Sequence, residues 1–329
     1  MNIYLDSAEY NRLYRCDYLA DSEWQKYGEQ QPTVGFLSVL LGMIYWATYL
    51  PCLVVLYKKE FFKKSCFKLI FLIGCLDIVA IVVNSFITGY LLMSGSVFCL
   101  EPSLHYISSV IAISVWCGQC LACAILALNR LIEFWYPELS VRLFRGKRIL
   151  LWYLPVFLYM LFFAVFSQIG VFSSKKLMWL YDPYLTVPND IVPIDRSVYR
   201  NRFHEMNNYI LVPFIAAIYL VLIISICTKN RRVILKVQLQ LILQAGLICL
   251  LLLLPGFLFL AVEFLPVPEF VQFFSLITWQ LGNGGGGLIL LIFNKRIREA
   301  VIILLCRPEM VKIKAITSTS KFNNWFIKK

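Results

Sequence analysis

Charge is what this sequence lacks most. Of 329 residues only 15% are charged, whereas 60% are hydrophobic and 16% aromatic, and the mean hydropathy is +0.73. An ordinary water-soluble domain is excluded, because it could not cover so much apolar surface. Histidine is scarce, with two in the chain, and no G-x-S motif occurs. The nucleophile-plus-base arrangements of hydrolases therefore have little to draw on, and no enzyme is expected. No N-x-Ser/Thr sequon exists, so glycosylation is not expected. The first 32 residues hold six acids and no apolar core, unlike a cleavable signal peptide. The first apolar run is expected to serve as its own insertion signal.

What is present is a set of long runs free of Asp, Glu, Lys and Arg: residues 33–57, 102–129, 149–174, 206–228, 237–262 and 270–294. A seventh, 69–100, is interrupted only by Asp77. Each exceeds the roughly 20 residues a helix needs to cross the hydrocarbon of a bilayer. The expected fold is an all-α membrane protein, a seven-transmembrane helix bundle. Residues 1–32 form an outer N-terminal segment, 33–294 the bundle, and 295–329 a short interfacial helix with a basic tail.

The basic residues set the expected orientation. With the N-terminus outside, segments 58–68, 130–148, 229–236 and the tail from 295 face the cytosol and carry 23 of the 31 Lys and Arg, while the outer segments carry 8. Acids run the other way, 5 inside and 13 outside. Positive residues near helix ends resist translocation, so the N-terminus is expected outside. The net charge of +12 is then a topology signal and gives no reason to expect nucleic-acid binding. The tail, with Lys312, Lys314, Lys321, Lys328 and Lys329, is placed to lean on anionic membrane lipid.

Of eleven cysteines, this topology leaves Cys16 and Cys99 in the oxidising compartment, and they are the natural disulfide pair. Such a bridge would pin the N-terminal segment over the mouth of the bundle, with two free thiols as the alternative. Cys117, Cys120 and Cys123 spell C-x-x-C-x-x-C within a membrane helix. At 100° per residue they do not converge on one point, so small packing residues are expected in place of a metal site. "GNGGGG" at 282–287 matches G-x-G-x-x-G but follows no strand, so neither nucleotide nor other cofactor is expected there. Four consecutive glycines weaken a helix in water, so the run implies a kink, close packing or a water-lined break.

Two polar features stand out in the spans. Asp77 is an intramembrane carboxylate about 12 Å from the cytosolic end of helix two. Asn84 falls on the same stripe, and Asn283 and Gln119 are candidate partners. Helix three ends in Asn129 and Arg130 with no acid before them. Arg130 reads either as a positive anchor reaching toward lipid phosphates or as part of a switch.

The sequence resembles the nematode serpentine chemoreceptors of class T, seven-helix proteins of the broad G-protein-coupled-receptor group. The resemblance is carried by "YLPCLVVLYKKEFFKKSCFKLI" at 49–70, "LDIVAIVVNSFITGYLLMSGSVFC" at 76–99, "LALNR" at 126–130, "LFRGKR" at 143–148, "WLYDPY" at 179–184 and "FNKRIREAV" at 293–301. It implies a chemosensory receptor that binds an external small-molecule or peptide ligand and signals through a heterotrimeric G protein. The setting implied is the plasma membrane, the cilium of a sensory neuron included. Asn129 and Arg130 look like the counterpart of the acid-arginine pair that ends helix three in rhodopsin-like receptors. With Asn in the acid's place, Glu133 is the nearby acid able to pair with Arg130, for a few tenths of a kcal/mol.

Judged by depth, His105, Tyr106, Ser109, Asn207, Asn208, Phe257, Phe274 and Trp279 are candidates to line an outward-opening ligand pocket. Cys306, at the end of the amphipathic stretch after helix seven, is a candidate palmitoylation site. The chain departs from rhodopsin-like receptors in two ways. Helix seven lacks their proline and tyrosine after Trp279, and the 175–205 loop lacks a cysteine for the top of helix three. The second favours Cys16 as the partner of Cys99. The alternative readings are a small-solute transporter or channel, for which the glycine run is the hint, and a diverged receptor that does not signal.

Overall fold

Prolines mark where several of the long helices begin and stop. The computed structural model describes residues 2–228, 236–264 and 268–306. Most of the 229–236 loop and the tail with Pro308 and its five lysines lie outside the described residues. Among these described residues, seven helices are long and apolar enough to cross a membrane. They are α1 (Pro32–Leu56), α2 (Ser65–Ser94), α3 (Pro102–Trp135), α4 (Gly146–Phe166), α5 (Arg202–Thr228), α6 (Lys236–Phe264) and α7 (Glu269–Phe293), followed by α8 (Lys295–Cys306). Pro32 and Pro102 open their helices where a missing N–H leaves no bond unmade. Pro137 starts a separate short helix, Pro137–Phe144, which is why α3 stops at Trp135. Pro51, Pro155, Pro213 and Pro255 lie inside α1, α4, α5 and α6, as membrane helices tolerate.

Burial divides the helices into inner and outer faces. α3 is the hub, packed against α2, α4, α5 and α6, and Trp116, Ile125, Val156, Val212, Ile248 and Leu290 share one core cluster. Leu151, Leu158 and Leu161 of α4 and Leu220, Ile223 and Ile224 of α5 are each more than half exposed. An apolar belt of this kind would drive association in water and is at home in lipid. α8 buries Ile297 and Val301 and exposes Ile302, Ile303 and Leu305, the two-faced pattern of an interfacial helix. Cys306 is exposed at its end.

Three boundaries differ from those read in the sequence. The run 149–174 is not one helix: α4 ends at Phe166, and β1 (Val171–Ser173) and β2 (Met178–Leu180) form an antiparallel hairpin pairing Phe172 with Trp179. Val171 and Phe172 are buried there, and a short buried strand reads like the end of an apolar helix. α2 stops at Ser94 because Gly95 takes a left-handed cap with φ of 67°. α3 continues past Arg130 to Trp135 as regular helix.

The hairpin, the segment before α1 and the 181–201 stretch close over the N-terminal end of the bundle. Cys16 and Cys99 form a disulfide, 83 residues apart in sequence. Around it Leu13, Tyr14, Trp24, Phe98, Tyr184 and Tyr199 make a second buried cluster. Tyr184 donates to the Arg15 carbonyl at 2.7 Å, Tyr199 donates to the Leu13 carbonyl, and Trp24 donates to the Cys16 carbonyl at 3.0 Å. Burial pushes the Tyr14, Tyr184 and Tyr199 phenols above their ordinary pKa, so the donors stay protonated.

Candidate functional site

α3 carries three polar levels in one 34-residue helix. Nearest the covered end is a cavity of about 180 Å3. It is lined by Ser109, Ala112, Ile113 and Trp116 of α3, by Trp179 of the hairpin and Tyr181 just after it, by His204, Glu205 and Asn208 of α5, and by Trp279 of α7. The α3 set follows the helical repeat that brings residues three and four apart onto one face. Ser109 accepts from the Gly170 amide at 2.6 Å, which seats the hairpin on α3. Asn208 Oδ1 accepts from Trp116 Nε1 at 2.9 Å and from Asn207 Nδ2 at 3.0 Å. Both Glu205 oxygens accept from Arg200 Nε, at 2.7 and 2.9 Å.

Of the eight residues expected at the pocket, Ser109, Asn208 and Trp279 line this cavity. Asn207 turns toward α4 and accepts from the Tyr159 hydroxyl at 3.1 Å. His105 is buried beside the hairpin, where Nδ1 accepts from the Phe172 amide at 3.3 Å. Tyr106 is buried against Tyr4, Tyr10 and Tyr14 of the N-terminal segment. Phe257 and Phe274 are corrections: they are 47% and 57% exposed on the outside of the bundle and do not line the cavity. Their depth is suitable, but depth fixes only height, and the angle around the helix axis points them away. Sequence reading missed Trp116, His204, Glu205 and the hairpin. The stripe 109, 112, 113, 116 was visible as a helical repeat, whereas the hairpin had no such signal.

The second level is the buried polar node. Asp77 Oδ2 accepts from the Tyr49 hydroxyl at 2.5 Å and Oδ1 from Gln119 Nε2 at 2.6 Å. Gln119 Nε2 also donates to Asn283 Oδ1 at 2.7 Å, so one carboxylate is linked to α1, α3 and α7. Asn84 is not bonded to Asp77. A π-helical turn, Val82–Ile87, shifts the phase of α2, and Asn84 Nδ2 instead donates to the Trp279 carbonyl at 3.5 Å. Asn283 Nδ2 donates to the same carbonyl at 2.9 Å. Trp279 therefore joins cavity and node. Tyr49, which the sequence reading did not single out, reaches Asp77 because the α7 glycines let its ring lie flat against that helix.

Replacing Tyr49 by Phe should keep the ring packed yet strand one oxygen of a buried carboxylate, at a cost of about 1–3 kcal/mol. Thermal unfolding of the detergent-solubilised protein should shift down in Tyr49→Phe. An unshifted transition would mean that the hydroxyl does not support Asp77.

The third level lies at the opposite end of α3. Arg130 is 3% exposed, so its guanidinium is held inside the bundle and does not reach for the lipid surface. It donates to Asn129 Oδ1 and pairs with Glu133 Oε2, and its Nε has no partner among the described residues. Asn129 Nδ2 in turn donates to Ser65 Oγ of α2 at 3.3 Å. On the same side, Asn294 Nδ2 donates to Gln244 of α6 at 3.1 Å and Gln240 to the Phe293 carbonyl at 2.7 Å, tying the α7–α8 elbow to α6.

The glycine run forms no break. α7 continues through Gly287, and the bare backbone receives Tyr45 and Tyr49 from α1 on one side and Leu251 from α6 on the other. Close packing explains it, and the one feature that hinted at a transporter is accounted for structurally. Cys117, Cys120 and Cys123 are buried in the main core cluster. Cys249 of α6 donates to the Cys123 carbonyl at 3.9 Å.

The helices thus form one seven-helix bundle with a cavity under one covered end and a buried arginine at the other. The structure is similar to that of squid rhodopsin, with a TM-score of 0.62 over 89% of this chain and 93% of that one, at 13% identity, which speaks to the fold alone. Residues 1–315 match the family model "Serpentine type 7TM GPCR chemoreceptor Srt", and the chain belongs to that family. It is also 24% identical to serpentine receptor class T-55 of Caenorhabditis elegans, over 97% of this chain and 89% of that protein. It is thus a multi-pass membrane protein of a seven-helix receptor family.

Proposed function

We propose that this protein is a chemosensory receptor whose ligand enters the cavity beneath the hairpin and whose opposite end opens to a heterotrimeric G protein. The observation that carries the reading is that a single helix, α3, contributes Trp116 to the cavity wall and Gln119 to the node and buries Arg130 at its far end. A ligand that binds the open bundle better than the closed one shifts the population between them. Trp279 and the Asn283–Gln119–Asp77 links supply a contiguous route from the cavity toward that shift. Glu133 and Asn129 hold Arg130 in the closed form. The N-terminus and the disulfide then face outside, in the plasma membrane of a sensory cell, the cilium included. We also propose palmitoylation of Cys306, which is exposed at the end of α8.

The test is G-protein activation in cells screened against volatile and soluble odorants. Arg130→Ala should abolish the response while surface expression holds. Glu133→Gln should raise basal signalling about twofold, because releasing a pair worth a few tenths of a kcal/mol moves a two-state population by that factor. Wild-type basal activity in Glu133→Gln, together with a normal response in Arg130→Ala, would remove the switch role from this end.

A further inference from the structure

We propose that the cavity takes a neutral molecule about the size of one substituted ring, held through a carbonyl-type hydrogen-bond acceptor. This specifies the ligand class of the site and rests on the receptor reading above. Size comes first: an engineered cavity of about 150 Å3 holds benzene, and this one measures about 180 Å3. A ring with a short substituent fits, and a peptide or long lipid chain does not. The walls come next, with indoles from Trp116, Trp179 and Trp279 beside Ile113, surfaces that favour an aromatic or compact aliphatic body.

The polar groups decide the rest. Asn208 is 5% exposed, and its Oδ1 already accepts two bonds, from Trp116 and Asn207. Its Nδ2 meets no acceptor among the described residues, so what it offers the cavity is N–H. Ser109, 1% exposed, accepts from Gly170 and donates to no acceptor among the described residues, so its O–H is also spare. Two spare donors are the complement of a carbonyl oxygen with its two lone pairs. Charge argues against the other classes. Glu205 is 5% exposed and both its oxygens are held by Arg200, so the acid and base together add no net charge to the cavity wall. A cationic amine would enter as an unbalanced charge in an apolar space, and a carboxylate would do the same with the sign reversed.

The experiment uses the full chain in lipid nanodiscs, with tryptophan fluorescence as the binding readout. The probes are acetophenone, ethylbenzene, 1-phenylethanol, benzylammonium and benzoate. Acetophenone should bind most tightly, about tenfold better than ethylbenzene, and neither charged probe should compete. Asn208→Asp keeps the acceptor that Trp116 and Asn207 need but replaces the spare N–H with a second, negatively charged acceptor oxygen, so a carbonyl ligand meets repulsion where it had a donor. It should weaken acetophenone about tenfold and move 1-phenylethanol ahead of it.

Equal binding of acetophenone and ethylbenzene, tighter binding of benzylammonium, an unchanged order in Asn208→Asp, or no binding of any probe would each overturn the proposal. The parallel G-protein assay separates the two readings. Binding in the expected order with no signal from any ligand leaves the ligand class standing and removes signalling. A signal from a ligand unlike these probes, with none of them bound, does the reverse.

Discussion

Gly284→Ala should prevent the bundle from reaching its native packing, even though alanine is the better helix former. A Cβ at Gly284 would lie 2.0, 2.2 and 2.3 Å from Cγ, Cδ2 and Cδ1 of Tyr45, far inside contact distance. These atoms are the root of a ring that is 5% exposed, so a side-chain swing cannot relieve the clash and α1 must move away from α7. Intrinsic propensity predicts a gain of about 1 kcal/mol on replacing glycine in a helix. Overpacking a filled interior typically costs about 1–3 kcal/mol, and here separating two helices would also draw Tyr49 from Asp77. The two principles give opposite signs, and packing should win. Surface expression and thermal stability of Gly284→Ala should fall sharply. Tyr45→Ala together with Gly284→Ala should recover much of the loss, giving a coupling energy above about 1 kcal/mol. A stable Gly284→Ala protein would show that the α1–α7 contact is looser than described.

The second large effect is loss of the Cys16–Cys99 bridge. Cross-linking residues 83 positions apart removes denatured-chain entropy worth roughly 4 kcal/mol in the loop-closure account. The bridge also holds the segment whose carbonyls at Leu13, Arg15 and Cys16 accept from Tyr199, Tyr184 and Trp24. Cys16→Ser with Cys99→Ser, or reduction of the intact protein, should lower the unfolding temperature and weaken ligand binding, since the covering of the cavity loosens. The Arg130 end should be unaffected, so basal signalling per folded receptor should stay near wild type. If Cys16→Ser left both stability and ligand binding unchanged, the N-terminal segment would be a passive flap.

Much of the fold was legible because spanning a membrane imposes a crude rule. A helix must carry about 20 residues without charge, and seven such runs can be counted by eye. The pairing of Cys16 with Cys99 was legible for a related reason, since charge bias assigns loops to sides of the membrane and two cysteines fall on the side expected from that bias to be oxidising. The end of α4 was not, because an apolar strand buried under a cap has the composition of a helix end. Asp77, Gln119 and Asn283 could be named as polar residues inside spans, where burial demands a partner. That Tyr49 completes them could not, since a tyrosine among twenty apolar residues looks like any other aromatic.

The sequence by itself determined the number of spanning helices, the approximate place of each apart from the end of α4, and the polar residues that must find partners, because each follows from local composition against a fixed hydrocarbon thickness. Only the tertiary structure decided which face of each helix turns inward. It sent Phe257 and Phe274 outward, turned Asn208 to the cavity, buried Arg130 against Asn129 and Glu133, and made the glycine run a seat for Tyr45 and Tyr49. Rotation about a helix axis is fixed by what the neighbouring helices leave room for, and that depends on residues far apart in the chain.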